Sequence, residues 1–416
     1  EIYTLSLHDA LPISMAGVTL ILQSLLRQST TQPVAFAMGM CIALHPDTAF
    51  MASSGMETAP SLLLVLGSLL FALNGRPGVA GACGGAAMLM RPDGVLVVAL
   101  TSIVLAYRNP GKLWRLLLAA TLVVAPWILY ATFTYGSPVP HSIPAKKLVH
   151  AATFSQIALA HVQSLTLNLP LKFLAGLGII GGLLSLLRRS ELSLVTLWVA
   201  AYSVSLGASG IAPQFPWYVT PLSPVLVLLA AYALDQIAVW ISKRQKESSD
   251  VRSWPRRFFA PGVLLLLAGL CITDVNWRGF RTDTEEREAA YFTIGNYLQT
   301  RSRAGDVVFV GEVGVLSYVL LEQKIIDSSG INSPDVLRFR REEWEELRKS
   351  THQPSPEGTW RWVTRVIEDA RPDYVVTKYP WLHIGKVEEL PWFGERYRRI
   401  MLENKDLRDY RVFEKR

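Results

Sequence analysis

Ten apolar runs follow one another between about Met15 and Val275, and none comparable appears after that point. This pattern leaves few folds open. A run of about 20 apolar residues crosses a bilayer as a helix, because in hydrocarbon every backbone polar group must find its partner inside the segment. The runs cover about residues 15–26, 33–44, 59–73, 78–90, 95–107, 113–134, 169–187, 192–208, 217–240 and 258–272. Residues 113–134 are long enough to cross alone. Several others are shorter than about 20 residues, which suits re-entrant segments or helices of small tilt. Residues 78–90, GVAGACGGAAMLM, are rich in Gly and Ala and suit close helix–helix approach. Half of the 416 residues are hydrophobic, and the mean hydropathy of +0.27 is high for an ordinary soluble protein.

Charge sets the sidedness. If every run is a crossing, alternate loops carry Arg27; Arg76; Arg108, Lys112 and Arg115; Arg188 and Arg189; and a last group from Lys243 to Arg257. These loops fit the cytoplasmic side, where Lys and Arg accumulate beside short spans. The opposite loops, 45–57, 91–93, 136–168 and 209–215, are poorer in Lys and Arg. They hold most of the His residues and the acids near the membrane. The same alternation places the C-terminus outside the cytoplasm. The net charge of +7 is therefore no sign of nucleic-acid binding, since many basic residues sit in loops that orient helices.

From about Asn276 the composition turns mixed and charged. Residues 285–303 show a helical stripe of Ala289, Phe292, Ile294, Tyr297 and Leu298. VVFVG, KIID, DYVVTK and YRVFEK read as strands, with helices predicted between them at 312–321, 342–350 and 359–370. The expected fold is thus an α-helical polytopic membrane bundle of about ten apolar segments, residues 15–275, followed by a small extracytoplasmic α/β domain, residues 276–416. GEVGVLSY is not a G-x-G-x-x-G pattern, so no nucleotide site follows. Glu312, at a strand end, suits a structural or solvated role as well as a functional one. Cys41, Cys83 and Cys271 lie in or beside apolar runs and form no disulfide or metal pattern.

Residues 1–14, EIYTLSLHDALPIS, match neither a signal peptide nor a helix start. The string resembles translated sequencing-adapter sequence. It is set aside from the fold on that ground, with the natural N-terminus expected to be missing.

The outer loops hold the candidate site. His45 and Asp47 flank Pro46 after an apolar run and suit contact with a sugar, a metal or a phosphate; Asp47 also suits a helix cap. Glu57 opens the next run, where an acid is costly unless paired or wet. Arg91 and Asp93 bracket Pro92. Arg is suited to bidentate phosphate binding, and local pairing is the alternative. His141, Lys146, Lys147 and His150 lie in HSIPAKKLVH, where the lysines suit anionic headgroups or a phosphate leaving group.

SGMET before an apolar run, RPDG between two short runs, YGSPVPHSIPAKK after a long helix, and FPWYVTPLSP opening a late one resemble the polytopic C-type (GT-C) glycosyltransferases. The nearest likeness is to bacterial polyprenyl-phosphate-sugar mannosyl- and arabinosyltransferase-like proteins. GDVVFVGEVGVLSY and IIDSSGINSPDV resemble their extracytoplasmic tail. The resemblance implies an inverting transfer from a polyprenyl-phosphate sugar to a cell-envelope glycan, lipid or protein at the inner membrane, with a carboxylate as general base. In that family the catalytic acid lies in the first outer loop, to which nothing here corresponds; the base is then expected in the missing N-terminal part. His45, Asp47, Glu57, Arg91, Asp93, His141, Lys146 and Lys147 carry over as substrate-binding residues. Some relatives use a divalent metal, but no ligand cluster in this sequence demands one. Two other classes fit less well. A transporter or flippase would often show internal repeats, which this sequence lacks, and a non-catalytic scaffold leaves the charged loop residues unexplained.

Overall fold

The computed structural model describes residues 7–140, 142–149, 153–165, 169–210, 216–244, 255–273, 277–350, 360–402 and 407–416. They fall into two compact units. The first comprises Glu1–Pro138 and Ala152–Val275; the second comprises Val139–Ala151 and Asn276–Arg416.

In the first unit every expected apolar run is a helix. The elements are α1 (Leu7–Arg27), α2 (Gln32–Leu44), α3 (Pro46–Ser53), α4 (Thr58–Leu73), α5 (Pro77–Met90), α6 (Val95–Arg108) and α7 (Leu113–Tyr135). Helix α8 (Ser142–Val149) belongs to the second unit. The first resumes with α9 (Phe154–Leu165), α10 (Leu169–Leu187), α11 (Leu192–Ala208), α12 (Leu222–Arg244) and α13 (Ala260–Thr273). Among the described residues four helical stretches are long and apolar enough to span: Ala10–Arg27, Pro110–Tyr135, Leu169–Leu187 and Leu222–Lys243. The α2–α3 pair passes as well if its 60° bend is counted as one broken span. The remaining apolar helices are shorter. The 14 residues of α5 extend about 21 Å, against about 30 Å of hydrocarbon.

The start of α1 differs from the sequence reading. Residues 7–14, set aside there, form its first two turns. Leu11 is fully buried and begins a stripe continued by Met15, Val18, Leu22, Leu25 and Leu26, the spacing of one helix face.

Small residues set the closest approaches. A Cβ on Gly81 of α5 would run into the Leu116 carbonyl of α7. The fully buried Ser68 hydroxyl of α4 donates to the Ala80 carbonyl at 2.9 Å. Without a hydrophobic driving force between helices in lipid, such close contacts and buried hydrogen bonds hold a bundle together.

The second unit opens its C-terminal part with α14 (Trp277–Gln299). It continues through β1 (Val307–Val310), α15 (Gly314–Val319), β2 (Lys324–Asp327), α16 (Pro334–Ser350), α17 (Arg361–Ala370), β3 (Tyr374–Lys378), α18 (Ile384–Glu388), α19 (Pro391–Arg396), β4 (Tyr397–Ile400) and β5 (Tyr410–Lys415). The sheet order is β2-β1-β3-β5-β4. β1 is parallel to β2 and β3, with Val308 opposite Ile325 and Tyr374, while β5 is antiparallel to β3 and β4. Val308–Val310 and Tyr374–Thr377 are buried, as expected of strands covered on both faces. One face carries α14 and α15, with Tyr291, Ile294, Leu298 and Leu316 on Val308 and Val310. The other carries α16 to α19, with Trp362, Val363, Ile384 and Phe393 on Phe309 and Val375. Glu343 of α16 is buried and accepts the backbone N–H groups of Trp360, Arg361 and Trp362 at 2.7–3.1 Å, capping α17. The domain boundary differs from expectation at one place: Val139–Ala151 groups with this unit, where Pro144 of α8 lies in a groove beside Pro334 and Leu337 of α16. β4 is an addition to the expected strands. Its YRRI sequence has exposed Arg398 and Arg399, a charged edge with no apolar alternation to reveal it.

Candidate functional site

At one end of the bundle the 45–57 and 91–93 loops meet residues 217–223, which lead into α12. The first cluster centres on Arg91. Its backbone ends α5, the amide donating to the Ala87 carbonyl at 2.8 Å, and residues Pro92–Gly94 form a tight 3-10 turn before α6. The turn lies flat on α5: a Cβ at Gly94 would stand 2.5 Å from the Ala87 carbonyl carbon. That approach turns the Arg91 side chain into the bundle, where the residue is only 6% exposed.

There the guanidinium is fully engaged. Nε and Nη2 each donate to Asp93 Oδ2 at 3.2 Å, and Nη1 donates to the Trp217 carbonyl at 3.3 Å. Nη1 also lies 3.6 Å from Glu57 Oε1, and the guanidinium carbon sits 5.4 Å from the centre of the Tyr218 ring. Behind them Tyr202 of α11 donates to the Tyr218 carbonyl at 3.0 Å and stacks on Trp198. Burial works against the Arg91 charge, but Tyr202, Asp93 and Glu57 outweigh it and push its pKa up. One cation is thus held between two carboxylates. Of these, Glu57 is the more open, with 39% of its side chain exposed, and it makes no cap bond to α4.

The second cluster lies at the α2–α3 bend. His45 is buried and caps α3, its Nδ1 accepting the Asp47 amide at 3.2 Å. Asp47 accepts a short hydrogen bond from the Ser223 hydroxyl of α12. Leu171 and Leu174 of α10 and Leu226 of α12 wall a narrow cleft beside His45, Asp47 and Ser223. Residues 217–223 join the clusters: Trp217 and Tyr218 touch Arg91, and Ser223 touches Asp47.

The structure therefore brings together Glu57, Arg91 and Asp93, and separately His45 and Asp47. Lys146 and Lys147 sit on α8 in the second unit. His141 and His150 lie outside the described residues. Trp217, Tyr218 and Ser223 lie in FPWYVTPLSP, a stretch that stood out in the sequence without individual roles; Tyr202 was not singled out. A backbone carbonyl carries no residue signature, and Tyr202 and Ser223 look like ordinary helix residues. Among the described residues no group of three or more His, Cys, Asp or Glu side chains is placed to hold a metal ion.

Residues 276–413 match a family model described as a domain of unknown function (DUF8728). No curated protein matches the chain. Among solved structures the chain is similar to ArnT from Cupriavidus metallidurans bound to undecaprenyl phosphate. The TM-score is 0.58 at 15% identity, over 98% of this chain and 83% of that one. The apo state of the same protein gives a TM-score of 0.53 at 14% identity, with the same coverage. The likeness is one of fold, and this chain's fold is a multi-pass bundle of apolar membrane helices with a small α/β domain.

Proposed function

We propose that the chain is a membrane glycosyltransferase that takes its sugar from a polyprenyl-phosphate donor and passes it to an acceptor of the cell envelope. The observation that carries this reading is the meeting of the 45–57, 91–94 and 217–223 segments at one end of the bundle, with Asp47 facing an apolar cleft and Glu57 open beside a buried Arg91. The fold shared with a protein solved with undecaprenyl phosphate supports it. A lipid phosphate needs apolar walls for its chain and polar groups at the mouth; Leu171, Leu174 and Leu226 beside His45, Asp47 and Ser223 are side chains of those kinds, and the cleft between them, about 10 Å³, has to widen for a chain to enter.

The reaction in this reading is a single displacement with inversion. An acceptor oxygen forms a bond to the anomeric carbon as the bond from that carbon to the phosphate oxygen breaks. The hydroxyl proton passes to a carboxylate, and the electron pair leaves with the polyprenyl phosphate. Asp47 and Glu57 line the site and hold sugar hydroxyls. Arg91 acts as a positioning residue. Its N–H groups already point at Asp93, Glu57 and the Trp217 carbonyl, so a phosphate would have to displace two carboxylates to reach it. The site faces the side opposite the basic loops, with the C-terminal domain outside the inner membrane.

Binding to the detergent-solubilised full chain, followed by tryptophan fluorescence, tests the reading with two probes: undecaprenyl phosphate, and undecaprenyl phosphate linked to a hexose or a pentose. Saturable binding of both is expected, with Asp47→Ala weakening the sugar-linked lipid by about tenfold, the worth of one charge-assisted hydrogen bond, and leaving undecaprenyl phosphate itself unweakened. Absence of saturable binding, or sugar-linked lipid binding untouched by Asp47→Ala, overturns it.

A further inference from the structure

The second unit carries a constellation that the membrane site does not use. The β1–β2 connection through α15 covers one face of the sheet, with Leu316 and Leu320 beside Tyr291 and Val310. The β2–β3 connection through α16 and α17 covers the other face, with Val336 and Trp362 beside Phe309 and Val375. The carboxyl ends of β1 and β3 therefore border the point where the connections diverge. In open parallel α/β sheets that crevice is where ligands bind.

Four elements bring polar groups to it. Glu312 follows β1. Lys378 ends β3, and its register partner Tyr410 begins β5. Arg287 and Tyr291, one turn apart, come from the middle of α14. Arg287 Nε lies 3.7 Å from Glu312 Oε1, the Tyr291 and Tyr410 rings meet edge to face at 5.2 Å, and Lys378 Nζ lies 5.8 Å from the centre of the Tyr410 ring. Tyr291 is 2% exposed. Its hydroxyl and Glu312 Oε2 are both buried and interact with each other, which leaves the Glu312 carboxylate shared between Tyr291 and Arg287. The outer edge is open: about a third of the Glu312 and Arg287 side chains reaches solvent. Burial raises the Glu312 pKa; Arg287 and Lys378 oppose that, and Glu288 adds to it.

The charges select the ligand class. Arg287 and Lys378 repel a cation. Glu312 and Glu288 repel a phosphate. A hydroxyl both donates and accepts, so it can satisfy a carboxylate and a cation at once. We propose that this crevice is a saccharide-binding site, in which ligand hydroxyls donate to Glu312 and accept from Arg287 and Lys378 at its open edge. It does not rest on the transferase reading.

The test uses the full chain in a detergent without a sugar headgroup, applied to an array of hexose and pentose oligosaccharides of two to six units. Retention on at least one series is expected, weakened about tenfold or more by Glu312→Gln and by Lys378→Met. Tyr291→Phe, which keeps the ring, serves if Glu312→Gln melts early. Undecaprenyl phosphate binding should be the same in Glu312→Gln as in the unsubstituted chain, so failure of the membrane-site reading and failure of this one show separately. No retention on any series, retention equal in the variants, or displacement by inorganic phosphate alone overturns the proposal.

Discussion

Arg91 Nη1 lies 3.6 Å from Glu57 Oε1, so the turn between α5 and α6 is tied to the start of α4 through a cation that is itself buried. With Asp93 and the Trp217 carbonyl on the same guanidinium, one side chain holds three segments in register.

The first prediction follows from that arrangement. Arg91→Ala leaves two acids facing each other and should lower stability by about 1–3 kcal/mol, discounted for the exposure of both partners. Arg91→Lys keeps the charge but cannot reach Asp93 and the Trp217 carbonyl with one planar fork, and should recover only part of the loss. Removing Glu57 as well should recover some of it, with a coupling of about 0.5–3 kcal/mol in a double-mutant cycle. Melting curves of the four variants decide; strict additivity refutes the pin.

Helix contact gives the second prediction. Gly81→Val places a branched side chain against the Leu116 carbonyl, and overpacking of this kind costs about 1–3 kcal/mol. The melting temperature should drop more for Gly81→Val than for the same change at Gly78, where a Cβ meets nothing within 4 Å. Equal effects at the two positions would show that α5 and α7 do not pack as described.

Much of the bundle was legible in the sequence, because helix ends there are marked by charge. α10 and α11 have the bounds read from the apolar runs, since Arg188, Arg189, Ser190 and Glu191 between them do not belong in hydrocarbon. The start of α1 was not legible. His8, Asp9 and Pro12 hid a stripe that shows only when Leu11 is seen against its neighbours. RPDG and Glu57 stood out as charges beside membrane runs, and they do meet. FPWYVTPLSP stood out as well, but that it offers Arg91 a carbonyl at Trp217 and the ring of Tyr218 leaves no mark in the sequence. The pairing of Arg91 with Asp93 and Glu57 is what supports the positioning role proposed for it above.

Capping in the second unit gives the third prediction. Glu343 accepts three backbone N–H groups at the start of α17. Glu343→Ala strands all three in a buried place and should cost about 1–3 kcal/mol; Glu343→Gln, which still accepts, should cost less. Denaturant unfolding of the two variants checks the order.

Acidity gives the fourth. The Glu312 pKa is raised in the folded protein, chiefly by burial. The folded state therefore holds that proton more tightly than the unfolded state. Its stabilising contribution is complete below the ordinary carboxylate pKa of about 4.3 and is lost as pH rises through the raised value. Glu312→Gln mimics the protonated form at every pH. The melting temperature of the variant minus that of the unsubstituted chain should increase from acid pH towards neutrality; a flat or falling difference contradicts the burial account.

The bend at His45 has a bearing on how mutants of this protein are read. Where α2 stops and α3 starts, a main-chain amide inside the bundle loses its helical acceptor, and an imidazole nitrogen stands in for the missing carbonyl. His45 is thus part of the backbone's own accounting. Any replacement that cannot accept at that position lets the α3 turn open and carries Asp47 away from Ser223, so lost activity in such a variant would report on the shape of the polypeptide and not on proton transfer by the ring. Asn, a good cap with no titration near neutrality, is the substitution that tells shape from chemistry.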